Sequence, residues 1–245
     1  PTVVLPPRLL ASGLLNWFPS FAALAKTHRV VAIDHRGHGR GIKPRGQFKL
    51  EDCADDVAAT IGELKLGRVI LAGYSMGGPI TQLTWKRHPE VVRGMVLGAT
   101  SYRFGPQEMR LAPVGDALGF GLRFTPRLVR QQVVRGAINW NPQNRPRPAW
   151  VLEELNNHDP ACIVEATMQL RRYNAEPWLG ALDIPAASVI TLYDRLVPAA
   201  RQVKLAELTK AEVFEVHGGH DACVIRPDRF VPALVGAVGS VTDRS

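Results

Sequence analysis

A chain of 245 residues, 46% apolar and 21% charged, is long enough to bury a sizeable core and too apolar to be disordered. No apolar run approaches the roughly 18 residues that a bilayer-spanning helix needs. The 30 basic and 22 acidic residues leave a formal charge of +8, yet the arginines are scattered, aromatics do not interleave with them, and no nucleic-acid motif occurs.

In chain order, residues 2–5 are a short β-branched run and read as a strand. Residues 17–26 read as a helix. Residues 29–33 form a compact apolar run ending at Asp34, the pattern of a buried parallel strand. Asp34-His35-Arg36-Gly37-His38-Gly39 is a loop signal. Over 50–64, Cys53, Val57, Ile61 and Leu64 recur at helical spacing, and Glu51, Asp52, Asp55 and Asp56 crowd the first turns, where the helix dipole favours acids. Residues 69–72 form the next buried strand, 76–87 a helix closed by His88-Pro89, and 92–97 another strand.

The alternation then breaks. From about 101 to 180 the chain reads as helices cut by prolines, with Trp140, Trp150 and Trp178, a proline-rich stretch at 142–148, and a basic face of Arg123, Arg127, Arg130 and Arg135. The rhythm resumes with a strand at 188–193, a helix at 199–208, a strand at 212–216 and a helix at 228–238. Strands alternating with helices imply an α/β fold with a mostly parallel sheet covered on both faces. An insertion as long as 101–180 exceeds a loop and reads as a helical cap over the strand ends, leaving 1–100 and 181–245 as the core.

Three cysteines (Cys53, Cys162 and Cys223) lie far apart with no CxxC pair, so neither a disulfide framework nor a zinc site is expected. No basic segment followed by an apolar one opens the chain, and a reduced, cytoplasmic setting is expected. The reading requires no cofactor and no metal.

The chemistry centres on Gly73-Tyr74-Ser75-Met76-Gly77, placed where a strand should turn into a helix. A serine hydroxyl is a poor nucleophile near neutral pH and needs a base. Its flanking glycines leave room for a tight turn that projects it. The base should follow an acid in the chain. His220, in the loop after the strand ending near Val216, is favoured over His217, which lies at the strand end. Asp194 follows its strand directly and is favoured over Asp183, at the opposite sheet edge, and Asp221, which adjoins the histidine. Its role would be to fix the imidazole tautomer and stabilise the imidazolium.

Over nearly its whole length the chain resembles the α/β-hydrolase superfamily, in particular bacterial serine hydrolases with a helical cap. The residues that carry the likeness are Gly73 to Gly78, Val31 to Gly39, Asp194-Arg195-Leu196-Val197-Pro198 and Gly219-His220-Asp221. The resemblance implies hydrolysis of a small or medium carboxylic ester, thioester or lactone through an acyl-enzyme on Ser75. It also implies Met76 N–H as one oxyanion donor and Leu9 N–H as the second. One departure stands out: Pro7 and Arg8 occupy the places of the family's His-Gly pair. Proline restricts the backbone there, and Arg8 adds bulk where glycine allows close approach. Pro-Pro-Arg-Leu can be encoded CCT CCA CGG CTG, and the same bases read one nucleotide on give Leu-His-Gly. A compensated frameshift would therefore yield normal spacing with abnormal residues, which resequencing the coding DNA decides. The departure also motivates an alternative, a catalytically weak, receptor-like homologue that binds a ligand.

Overall fold

The computed structural model describes residues 1–44, 46–105, 132 and 149–245. Six parallel strands form one sheet in the order β2-β1-β3-β4-β5-β6. They are β1 (Thr2–Leu5), β2 (Arg29–Ala32), β3 (Val69–Tyr74), β4 (Val92–Gly98), β5 (Ala186–Thr191) and β6 (Glu212–Val216). The central strands β3 and β5 are buried along their whole length, as near-continuous apolar runs should be when helices cover both faces.

One layer contains α1 (Gly13–Trp17), α2 (Phe21–Leu24), the short α8 (Ala222–Ile225) and the long α9 (Pro227–Asp243). Trp17, Leu24, Tyr74, Phe230, Leu234 and Val238 pack together there. The opposite layer holds α3 (Leu50–Glu63) and α4 (Gly77–Arg87), with Cys53, Val57, Ile61, Met76 and Ile80 against Val4, Val69 and Leu71. Helix α7 (Ala199–Thr209) brings Leu205 against Met95, Leu97 and Ala186.

Three expectations need correction. The single helix expected over 17–26 is two short ones, α1 and α2. Pro19 falls between them; it cannot donate the amide bond that would carry α1 onward. Ser12 caps α1 by accepting from Leu15 N at 3.1 Å. Strand β2 is not buried but an edge strand, with Arg29 and Ala32 exposed and Val30 and Val31 half-buried. An apolar run records burial of side chains without recording whether a further strand lies alongside. The last helix also runs five residues beyond the expected end, to Asp243.

Between β4 and β5 the described residues contain α5 (Ala149–Asn156) and α6 (Pro160–Arg172), with no strand beyond one isolated bridge, Arg103 to Asn174. Helix α6 joins the core through Cys162, Ala166 and Leu170. Buried carboxylates tie this segment down: Glu165 accepts from Phe48 N at 2.7 Å, and Glu154 accepts from Ser12 Oγ and pairs with Arg40 at 2.9 Å. Trp140, the proline-rich stretch 142–148 and the four arginines from Arg123 to Arg135 lie outside the described residues. All three cysteines are buried and none is in a disulfide. Among the described residues no helix is long and apolar enough to cross a membrane.

Candidate active site

Strand β3 and helix α4 meet at Ser75, whose φ of +52° lies in the left-handed region that a non-glycine residue avoids. Holding it there costs about 1–3 kcal/mol, which the surroundings must supply. Ser75 N donates to Gly98 O at 2.9 Å, and Ser75 O accepts from Gly78 N at 2.9 Å and Thr100 Oγ1 at 2.7 Å. Both motif glycines are sterically required. A Cβ on Gly73 would lie 2.2 Å from Gly77 O, and one on Gly77 would lie 2.2 Å from Pro6 O. The glycines therefore let three backbone segments converge beneath the serine.

The other two sequence-predicted residues arrive from separate strands. His220, in the loop after β6, places Nε2 2.9 Å from Ser75 Oγ and Nδ1 2.7 Å from Asp194 Oδ2. Asp194 sits just past β5, its side chain fully buried. Its Oδ1 accepts from Leu196 N at 2.8 Å and Val197 N at 2.9 Å, and its Oδ2 accepts also from Thr191 Oγ1 at 2.9 Å. Burial pushes this carboxyl up, but the imidazole of His220, the Val197 amide and the Thr191 hydroxyl outweigh it and hold the group below its ordinary value. An ionised Asp194 accepts a hydrogen bond from Nδ1–H, which keeps the proton on Nδ1 and leaves the Nε2 lone pair facing Ser75.

The competing residues stand elsewhere. His217 is exposed and bonds Tyr193 OH through Nδ1 at 3.2 Å. Asp183 accepts from Trp85 Nε1 at 3.2 Å at the surface, and Asp221 precedes α8. After β1, Pro6 O accepts from Tyr74 N at 3.2 Å, which holds this segment against the turn that carries Ser75. The amides of Met76 and Leu9 have no acceptor among the described residues. Leu10 follows in the left-handed region, with φ of +59°.

The family description of the alpha/beta hydrolase fold matches residues 1–227. The chain belongs to the α/β-hydrolase fold family. It is 29% identical, over 94% of its own length and 89% of the relative's, to a protein of Rhizobium rhizogenes named for carbamate hydrolysis, RutD. Its backbone superposes on a hydrolase from Pseudomonas aeruginosa with a TM-score of 0.81 at 22% identity, covering 98% of this chain and 90% of that one. It also superposes on the enol-lactonase of Burkholderia xenovorans, with a TM-score of 0.79, 22% identity, and 98% and 91% coverage. These structural likenesses establish the shared fold.

Three features of this α/β hydrolase carried no sequence signal. Gln202 on α7 is buried behind Asp194: its Oε1 accepts from Thr191 N at 3.0 Å, and its Nε2 donates to Val197 O at 2.7 Å and Thr191 Oγ1 at 3.0 Å. Arg36 forks onto Asp56 at 2.8 and 2.7 Å and reaches Asp52 at 2.9 Å, so those acids serve an ion pair as well as the helix dipole. His35, His38 and His158 form a buried group, with ring centroids 6.4 Å apart for the first pair and 5.4 Å for the second. Burial, with the neighbouring imidazoles, lowers His35 to about 3 and His38 to about 4, and burial lowers His158 to about 4. His35 and His38 share the loop after β2, and His158 joins them because the start of α6 docks on that loop. A cavity of about 480 Å³ opens beside them, between that loop and α5–α6, lined by Gly39, Arg40, Lys43, Glu153, Asn157 and Asp159. Ser75 and His220 do not line it, so it is separate from the hydroxyl–imidazole pair.

Proposed function

We propose that this chain is a serine hydrolase that cleaves a small or medium carboxylic ester, thioester or lactone through an acyl-enzyme on Ser75. The contact of Ser75 Oγ with His220 Nε2 at 2.9 Å, backed by His220 Nδ1 to Asp194 at 2.7 Å, carries this reading. His220 takes the hydroxyl proton as Ser75 Oγ attacks the carbonyl carbon. The resulting oxyanion is held by Met76 N–H and Leu9 N–H. Collapse releases the leaving alcohol or thiol, which takes the proton from His220, and leaves the acyl group on Ser75. A water then gives its proton to His220 and attacks the acyl carbon, which frees the acid and restores Ser75. Hydrolase names on the relatives support the reaction class, and the lactonase and carbamate hydrolase among them agree with a small acyl substrate.

A fluorophosphonate probe tests this directly. Wild type should be labelled and Ser75→Ala should not. His220→Ala and Asp194→Asn should each lose roughly 10⁴-fold in p-nitrophenyl ester turnover. Near wild-type rates in either variant would refute the assignment. An unlabelled, folded wild type that still binds a ligand would favour the receptor-like alternative, whose basis is the Pro7-Arg8 departure. The two unengaged amides at Met76 and Leu9 weigh against it.

A further inference from the structure

Arg8 occupies the place of a family glycine, immediately before the proposed oxyanion donor Leu9. Its backbone N–H donates to Asn16 Oδ1 at 3.2 Å, which pins the residue between α1 and the end of β1. The side chain is held differently. Nε is fully buried with no hydrogen-bond partner, and the guanidinium makes neither an ion pair nor a side-chain hydrogen bond among the described residues. Asn16 is fully buried too, and its Nδ2 likewise lacks an acceptor. This wall of the site therefore has donors in excess.

The surrounding groups locate the charge. Burial raises the Tyr74 hydroxyl and the Cys223 thiol, and the positive charge of Arg8 opposes it at both. Tyr74 OH donates to the carbonyl of His220 at 2.9 Å, so one of the groups that feels the Arg8 charge touches the loop that carries the proposed base. Among the described residues no carboxylate lies within ion-pair distance of it. Asp194 has both oxygens engaged, by Leu196 N and Val197 N on one side and by His220 and Thr191 on the other. Guanidinium is the side chain best matched to a carboxylate, which it can grip with two parallel N–H donors. Arg8 is half-buried, and a guanidinium without a counter-ion among the described residues is open to one carried by a ligand.

We propose that Arg8 is a specificity-determining residue whose unpaired guanidinium selects substrates bearing a carboxylate close to the scissile carbonyl. The proposal rests on the serine-hydrolase reading of Ser75 and names the substrate class for that site. Arg8 binds the charged group and takes no part in bond making. It also gives the departure from the family pattern a chemical consequence.

The test compares the full chain with Arg8→Met, which removes the charge at similar length, and Arg8→Lys, which keeps it. Three substrates are used: p-nitrophenyl acetate, p-nitrophenyl hemisuccinate with the charge on the acyl side, and 4-acetoxybenzoate with the charge on the leaving side. In Arg8→Met the ratio of kcat/KM for an anionic ester over the neutral one should fall about tenfold or more, through KM, as the loss of one charge-assisted bond predicts. Arg8→Lys should keep most of the ratio, and high chloride should depress it in wild type. Whichever anionic ester responds identifies the side on which the carboxylate lies. An unchanged ratio in a folded Arg8→Met, or no chloride effect in wild type should that variant not fold, overturns the proposal. If wild type turns over no ester at all, the Ser75 reading falls, and Arg8 is judged by binding. Succinate should then raise Tm in wild type and not in Arg8→Lys or Arg8→Met to the same extent; no shift in wild type overturns the proposal.

Discussion

Asp194 illustrates how a single side chain is made to hold one position. Five donors surround its two oxygens: Gln202 Nε2 reaches Oδ2 at 3.5 Å, and Gln202 also orients another of them, the Thr191 hydroxyl. Gln202 touches no reacting atom and acts through Asp194, so it is a positioning residue. Gln202→Leu strands the buried Thr191 amide, and stability should fall by about 1–3 kcal/mol. Because a tilt of Asp194 passes to the imidazole, kcat should fall about tenfold with KM nearly unchanged. A stability loss at unaltered kcat would make the glutamine merely structural. Ser75, Asp194 and His220 were legible because each follows a strand in the expected order. Gln202 was not, since a glutamine on an amphipathic helix has the same sequence appearance whether it faces water or a carboxylate.

At the scale of elements, docking between segments distant in sequence decides the outcome. Helix α6 crosses the loop after β2 closely at Gly37, whose φ is +71° and where a Cβ would lie 2.4 Å from Cys162 Cβ. Gly37→Ala combines left-handed strain with a clash against packed atoms and should destabilise the fold by about 1–3 kcal/mol, read as a lowered urea midpoint. A compensating Cys162→Gly would relieve the clash but not the backbone strain. The same loop was recognisable from its glycines, whereas its partner helix was not. The break at Pro19 and the edge position of β2 were missed for related reasons. Local periodicity reports which face of a segment is apolar and says nothing about which neighbour covers it.

For the whole molecule, the three buried histidines couple the segment between β4 and β5 to the core. Their folded values, about 3, 4 and 4, lie below the unfolded value of 6.5. Above pH 6.5 both states are neutral and stability is flat in these groups. As pH falls below 6.5 the unfolded chain takes up protons that the folded chain refuses. Stability is therefore lost on acidification from 6.5 down to the folded values of 3 to 4. Each histidine contributes a slope of about 1 kcal/mol per pH unit in the interior of that window. Tm should thus drop steadily from pH 6.5 to 5, before most carboxylates titrate. His38→Phe, whose ring would lie beside Phe48, should remove about a third of that slope in this simple sum over three groups. A Tm that is flat over the interval would contradict the burial of neutral rings. The acidic neighbours Asp34 and Asp159 act in the opposite sense on His38, and they are already included in its value of about 4.

The amino-acid sequence by itself determined the alternation of strands and helices, the strand-to-helix turn at Ser75, and the order in which serine, acid and histidine occur. These depend on local properties: the period of apolar residues, the steric freedom of Gly73 and Gly77, and the place of a polar residue just past a strand. Only the tertiary structure decided that Ser75, Asp194 and His220 meet within hydrogen-bonding distance, that β2 lies at an edge, that Gln202 backs the acid, that three histidines share one interior and that Arg8 has no counter-ion among the described residues. Each of these is a relation between elements that the chain by itself does not bring together. It is created by close packing of a particular sheet order, and no short window of residues contains it.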